Sequence, residues 1–197
     1  MEASALPSLA IVIPAYNEED TIRACVLAAL GQTIPADEII VVDNKSTDAT
    51  SSILAKLQSD FPDAPLRVLR QDKAQGISPT RNMGFDAVTA DIIGRIDSDS
   101  VLEPNWVEET KKVFLDTSVD AATGPVIYYD LPLRRYMAKA DDNARRAISK
   151  LVKKYQFLFG TNMALRRSAW ETVRHDICLD ADLHMFEDID LSVHLFD

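Results

Sequence analysis

Several protein classes are excluded by what this sequence has little of. Only two of its 197 residues are cysteine, Cys25 and Cys178, and they lie far apart; the spacing supports neither a disulfide framework nor a zinc knuckle. The three histidines, His175, His184 and His194, share no helical metal spacing and read as surface or packing residues. Six glycines and nine prolines are too few and too scattered for a low-complexity linker,, and no repeat is found at periods of roughly 20 to 50 residues. No apolar run approaches the roughly 18 residues of a membrane span. The N-terminus lacks a basic segment followed by an apolar signal core, so a cytoplasmic protein is expected,. Positive charge is also scarce: 21 Lys and Arg against 31 Asp and Glu give a net charge of −10, which argues against a general nucleic-acid binder.

What is present is ordinary globular material. Hydrophobic residues make up 47% and charged residues 26% of the chain, enough to bury the core of a single domain over residues 1–197. Four short apolar runs, Leu9 to Ile13, Ile39 to Val42, Arg67 to Leu69 and Ile92 to Ile96, read as strands. Their near-continuous, β-branched hydrophobicity predicts strands covered on both faces, as in a parallel sheet. Ile22, Cys25, Val26, Ala29 and Leu30 recur at helical spacing between the first two, and Ile53, Leu54 and Leu57 do so after the second,. A third helix carries Ile77, Arg81, Gly84, Phe85 and Val88, its start signalled by Gly76, Ser78 and Pro79,. Strand and helix alternate, which predicts an α/β fold, a three-layer α/β/α sandwich with a mainly parallel central sheet.

Beyond Asp99 the alternation loosens and a mixed sheet is expected. Pro104 is placed to open a helix with Trp106, Val107, Val113 and Phe114, and Ala121 to Tyr128 reads as a strand,. Phe157 to Leu165 reads as a strand or loop before a short helix near Ser168, and Asp176 to His184 as a mobile connection,.

In open α/β sheets, ligands sit outside the carboxyl ends of the strands. That rule selects Pro14, Ala15, Tyr16, Asn17 and Glu18 after the first strand, Asp43, Asn44 and Ser46 after the second, and Asp97, Ser98 and Asp99 after the fourth. Asp97 and Asp99 can turn oxygens toward one hard cation and its phosphate-bearing ligand, though Asp-Ser-Asp is also ordinary turn chemistry. Asp43 can accept hydrogen bonds from a base or ribose, or cap the following helix. Arg81 can reach a diphosphate from the sheet rim, or pair with a carboxylate. Glu187 and Asp188 precede the helical pattern of Ile189, Leu191, Leu195 and Phe196. They read either as charges complementing a helix dipole or as the home of a general base for an attacking hydroxyl.

With these segments placed, the chain resembles the family 2 glycosyltransferases, inverting nucleotide-sugar transferases with the A-type glycosyltransferase fold. Six motifs agree in order: Ile13-Pro14-Ala15-Tyr16-Asn17-Glu18-Glu19, Val41-Val42-Asp43-Asn44-Lys45-Ser46-Thr47-Asp48, Thr80-Arg81-Asn82-Met83-Gly84, Asp97-Ser98-Asp99, Gly160-Thr161-Asn162-Met163-Ala164-Leu165-Arg166-Arg167 and Glu187-Asp188-Ile189-Asp190-Leu191. The resemblance implies that residues 9–99 form a nucleotide-binding half and 100–197 an acceptor-side half. Pro14, Ala15, Tyr16, Glu18 and Asp43 would surround the base and ribose with Arg81 nearby, Asp97 would touch the ribose, and Asp99 would hold Mn2+ or Mg2+. Gly160, Thr161, Asn162 and Glu187 would line the donor sugar and acceptor, and Asp188 would be the catalytic base. A UDP-sugar is the leading donor and a GDP-sugar the second; the acceptor would be a hydroxyl of a glycan, glycolipid or small molecule.

Lys45 and Ala49 stand where the family commonly has glycine. The processive synthases' Gln-x-x-Arg-Trp motif is absent from the sequence, which favours transfer of a single sugar. The family continues past the base motif, so the resemblance implies a chain shortened at Asp197. Three other readings compete: a non-catalytic nucleotide-sugar binder, a phosphotransferase of the haloacid dehalogenase type built on Asp97-Ser98-Asp99, and a nucleotidyltransferase, which lacks its glycine-rich loop here. Residues 131–156 hold eight basic and two acidic side chains. They form either a solvated helix face or a surface for an anionic acceptor or membrane, which would make the protein peripheral at the inner face.

Overall fold

A computed structural model of the chain describes residues 5–127, 143, 157–177 and 187–196. Six strands form one sheet: β1 (Leu9–Ala15), β2 (Glu38–Asp43), β3 (Leu66–Arg70), β4 (Ile92–Ile96), β5 (Ala121–Thr123) and β6 (Asn162–Arg166). Among the described residues, these helices accompany them: α1 (Ile22–Leu30), α2 (Thr50–Asp60), α3 (Ile77–Asp86), α4 (Trp106–Val113), α5 (Arg167–Val173) and α6 (Glu187–Phe196). None of the helices among the described residues is long and apolar enough to cross a membrane.

The sheet order is β3-β2-β1-β4-β6-β5. The pairs β1–β2, β1–β4 and β2–β3 are parallel, whereas β6 runs antiparallel to both β4 and β5, so the sheet is mixed as expected. The order first grows outward from β1 to β3 and then returns to place β4 on the other side of β1. This reversal makes the β1/β4 boundary a topological switch point, the place where ligands bind outside the carboxyl ends of such sheets.

Alternation along the strands divides the core into two layers. Leu9, Ile11, Ile13 and Ala15 pack with Ile22, Cys25 and Val26 of α1, Leu54 and Leu57 of α2, and Val107 of α4. On the other face, Ala10 and Val12 join Ile40, Val42, Phe85 of α3, Trp170 of α5 and Leu191 of α6. Every residue of β1 and β4 is buried, which accounts for the continuous apolar sequence of β1 and for that of β4 apart from Arg95. β3 departs from the expectation of cover on both faces: it is an edge strand and exposes Arg67 and Arg70. Charged side chains there discourage pairing with another chain.

Other limits also move. The strand expected from Ala121 to Tyr128 ends at Thr123, where Gly124 and Pro125 follow and proline cannot donate to the ladder. The third helix stops at Asp86 rather than Val88. Tyr128, the basic stretch 131–156 apart from Asn143, Cys178 and residues 178–184 of the expected connection lie outside the described residues.

The loops after β1 and β2 interlock through side chains. Asn17 N–H donates to Ser46 Oγ at 3.0 Å and Thr47 N–H returns a bond to Asn17 Oδ1 at 2.8 Å. Glu18 N–H donates to Thr50 Oγ1 at 2.8 Å, and Ala49 N–H to Glu19 Oε2 at 2.8 Å. Asn17 and Lys45 are the non-glycine residues with positive φ among those described, at 54° and 59°. Lys45, at the position where the resemblance expects glycine, is thus held in the left-handed conformation, in which a Cβ crowds the following carbonyl and glycine is favoured.

Two stability measurements check this packing by urea unfolding. Lys45→Gly is expected to stabilise the chain by about 0.5–1 kcal/mol by relieving the left-handed strain; a loss of stability would contradict that reading. Gly84 packs α3 so closely on the sheet that a Cβ would land on Val12 Cγ1 and approach Val42 Cγ2 to 3.2 Å. Gly84→Val is therefore expected to cost about 3 kcal/mol through overpacking, and a loss under about 0.5 kcal/mol would show that the helix can shift freely.

Candidate active site at the strand ends

A cavity of about 320 Å³ opens at the carboxyl ends of β1 and β4. Of the residues the sequence proposes for a nucleotide and metal, Pro14, Ala15, Tyr16, Glu18, Asp97 and Asp99 line it. Tyr16 is half exposed and leaves an aromatic face for a flat ring. The opposite wall is Asn44, Gln75, Gly76, Ile77 and Thr80. Asn44 shapes that wall: its amide donates to Gln71 O at 2.9 Å and Ala74 O at 2.8 Å, and its Oδ1 accepts from Gly76 N–H at 2.8 Å. Gly76 has φ 132°, a conformation open to glycine alone.

Asp43 and Arg81 reach the same end of the sheet without lining the cavity. The Asp43 carboxylate is buried, accepting from Ser46 N–H at 3.1 Å and from Ser51 Oγ, with Arg70 Nη1 at 3.7 Å. Its observed contacts thus tie down the start of the loop into α2. The Arg81 side chain is fully buried. Its Nε and Nη2 donate to Asn82 Oδ1 at 2.9 and 2.8 Å, and Nη1 donates to Glu187 O at 2.8 Å and to the Glu187 carboxylate. Phe85 and Trp170 offer ring faces 5.8 and 6.0 Å from its guanidinium carbon, favourable for a cation. Burial pushes the Arg81 pKa down from its ordinary value, and the adjacent Glu187 opposes that shift. Of the two readings of Arg81, the observed contacts are those of pairing with a carboxylate.

Glu187 opens α6 and joins that arginine to a second one. Its Oε1 lies 3.2 Å from Arg95 Nη2, which also sits 2.8 Å from Asp97 Oδ1. Burial raises the Asp97 pKa, Arg95 opposes the rise, and the charges of Asp99, Glu187 and Asp188 add to it. Asp188 therefore stands within electrostatic reach of the cavity wall. Its Oδ2 accepts from Gly160 N–H at 3.0 Å, and a Cβ on Gly160 would land on the Arg95 guanidinium. Thr161 is exposed beside it. The Asn162 amide is engaged in packing, where Oδ1 accepts from Trp106 Nε1 at 2.9 Å and Nδ2 donates to Pro125 O at 2.9 Å.

No group of three or more His, Cys, Asp or Glu side chains among the described residues is arranged as a metal cage. The cavity instead offers Asp99 and, beside it, Asp97. Such a sparse oxygen set fits a Mg2+- or Mn2+-type ion that takes its remaining ligands from phosphate and water. Beneath the turn, Cys25 Sγ lies 3.5 Å from Asp97 O. Burial, with Asp99, Asp97 and Glu18 nearby, pushes its thiol pKa up to about 12, so it remains a neutral packing group.

A larger cavity of about 650 Å³ is bordered by Pro79, Met83, Trp170 and Arg174. It contains none of the carboxylates grouped at the β1/β4 edge. Arg174 is bound there to Asp86 at 3.0 Å, and Trp170 Nε1 donates to the same carboxylate at 2.8 Å.

Sequence pattern alone does not single out Arg95, Gln75, Ile77 or Thr80 as site residues; it selects Asn44 by its place after the second strand, without the wall-shaping contacts seen here. The motif around Asp43 contains Asn44, and Gly76 marks a helix start, which together point to that wall. Arg95 gives no such signal, because it interrupts an apolar strand whose charge partner Glu187 lies far along the chain.

The fold and these motifs have counterparts. The chain superposes on the mannosyltransferase PcManGT from Pyrobaculum calidifontis, solved in complex with GDP-Man and Mn2+, with TM-score 0.71 and 20% identity over 95% of this chain and 51% of that one. S. aureus TarS residues 1–349 in complex with UDP gives TM-score 0.68 and 17% identity over 96% and 55%. These likenesses establish the A-type glycosyltransferase fold. In sequence, the Haloferax volcanii glycosyltransferase AglE is 33% identical over 125 residues, 62% of this chain and 40% of that protein. The Bacillus subtilis putative glycosyltransferase EpsH is 29% identical over 92% of this chain and 54% of its own length. The chain thus spans about half the length of the relatives it matches. The model of glycosyl transferase family 2 matches residues 10–174, and with the six motifs in order on this sheet, the chain belongs to that family.

Proposed function

We propose that this domain transfers a hexosyl group from a nucleoside diphosphate sugar to an acceptor hydroxyl, with inversion at the anomeric carbon and dependence on Mn2+ or Mg2+. The observation that carries the reading is the cavity at the switch point, which Pro14, Ala15, Tyr16, Glu18, Asp97 and Asp99 line together. Tyr16 and the 75–77 wall suit a nucleobase, and Asp97 suits hydroxyls of the ribose. Asp99 would hold the cation, which when bound supplies Lewis-acid stabilisation of the diphosphate charge. Neighbours of the same fold were solved with GDP-Man and Mn2+ in one case and with UDP-GlcNAc in another. We favour UDP, with GDP second.

Asp188 is the base in this reading. It accepts the proton of the acceptor hydroxyl as the hydroxyl oxygen forms its bond to the anomeric carbon. The bond from that carbon to the diphosphate oxygen breaks on the opposite side, so one displacement inverts the centre, and the nucleoside diphosphate leaves with the electron pair. The hydrogen bond from Gly160 N–H orients the Asp188 carboxylate. Glu187, committed to Arg81 and Arg95, seats the helix that carries it.

Thermal shift against UDP, GDP and their sugars, with and without Mn2+, tests the donor side; cation-dependent stabilisation by at least one of them is expected, and none with any would contradict the reading. Asp188→Asn tests the acceptor side. Transfer is expected to fall about 10²- to 10⁴-fold, while donor affinity stays within about threefold. Retained transfer would remove Asp188 as the base.

A further inference from the structure

Two carboxylates share one guanidinium nitrogen beneath the rim. Arg95 Nη2 lies 2.8 Å from Asp97 Oδ1 on the cavity wall and 3.2 Å from Glu187 Oε1 at the start of α6. The Arg95 side chain is 5% exposed, and its Nε has no hydrogen-bond partner among the described residues. The group is therefore held to the two carboxylates through the end of its fork and not along its stem. Gly160, which donates to Asp188, leaves by its missing Cβ the space that the Arg95 guanidinium fills. Arg95 thus abuts both elements that the bond orienting Asp188 joins: the start of α6, through Glu187 next to Asp188, and the turn before β6, beside Gly160.

We propose that Arg95 is a positioning residue that couples the state of Asp97 in the donor cavity to the seating of α6, and so of Asp188; the inference rests on the donor-site reading above. A ligand that draws the Asp97 carboxylate into its own contacts weakens one of the two bonds on Nη2. The buried guanidinium must then be compensated more fully by Glu187, because an unpaired buried charge is strongly disfavoured. Glu187 cannot follow freely, since Arg81 holds both its carboxylate and its backbone oxygen. The change is therefore passed to the first turn of α6 and to its neighbour Gly160. A lysine supplies a single compact ammonium and no planar fork, so it preserves the charge without the two-sided grip.

Hydrogen exchange on the full chain, with and without UDP and Mn2+, tests the coupling, and calorimetry measures binding of the same pair independently, with GDP as the second probe. In the wild type, binding is expected to change exchange of amides in 187–196 and at Gly160 by about twofold or more, although no residue of α6 lines the cavity. In Arg95→Met, binding is expected to persist within about tenfold while the α6 response disappears. Arg95→Lys is expected to restore binding but only part of the response. An unchanged α6 in the liganded wild type, or an undiminished response in Arg95→Met, would overturn the coupling alone. If Arg95→Met does not fold, a full wild-type response in Arg95→Lys would do so. Failure of both UDP and GDP to bind the wild type in calorimetry would instead overturn the donor-site reading, and this inference with it.

Discussion

The arrangement at the strand ends depends on a chain of charges, Arg81–Glu187–Arg95–Asp97, buried except at Asp97, that runs from α3 through α6 to β4 and the turn after it. Two guanidiniums and two carboxylates balance in sign, and only Asp97 at the end of the chain meets the cavity. A buried ion pair adds little net stability because desolvation offsets much of the attraction, yet removing one partner costs about 3–5 kcal/mol. Glu187 sits between two cations, so its loss would leave both uncompensated. The chain is better understood as a specification of where α6 sits relative to the sheet than as a source of stability.

The rest of the rim is organised by the backbone. Parallel β1 and β4 are adjacent at the point where the strand order reverses, the place where such sheets open a crevice at their carboxyl ends. Interlocked hydrogen bonds between the β1 and β2 loops hold one side, and Asn44 holds the 71–76 segment on the other. The polar groups that do not face the cavity are thereby spent on one another, and the side chains left to a ligand are an aromatic ring, a few polar walls and the two carboxylates of the Asp97–Asp99 turn.

Much of this is legible from residue pattern because the determinants are local. The continuous apolar run of β1 and the mostly apolar run of β4 announce burial on both faces, and Asp-Ser-Asp directly after β4 places two carboxylates at its carboxyl end. The features that pattern misses depend on long-range placement. Nothing in Arg67 to Leu69 says that β3 has a neighbour on one side only, and the short reach of β5 follows from Gly124 and Pro125 more than from the apolar residues after them. Asp43 and Arg81 stand out by type and position, but whether such a side chain faces a cavity or turns inward is decided by its partners, here Ser51 and Glu187. Arg95 is invisible for the same reason: a lone charge in an apolar strand has meaning only once Glu187 is brought beside it. Lys45 shows the converse: its left-handed backbone angle favours the glycine that the resemblance leads one to expect there, and nothing in the structure explains the lysine.

The most direct test of the account is where a nucleotide and its cation settle on the sheet. Amide spectra of the chain titrated with UDP and substoichiometric Mn2+ would report this through paramagnetic broadening. The expected result is broadening centred on Asp97–Asp99 and extending to Ala15–Glu18 and the 75–77 wall, erased when Mg2+ replaces Mn2+. Broadening centred instead on the cavity bordered by Pro79, Met83 and Trp170, with the strand-end loops unaffected, would contradict the account.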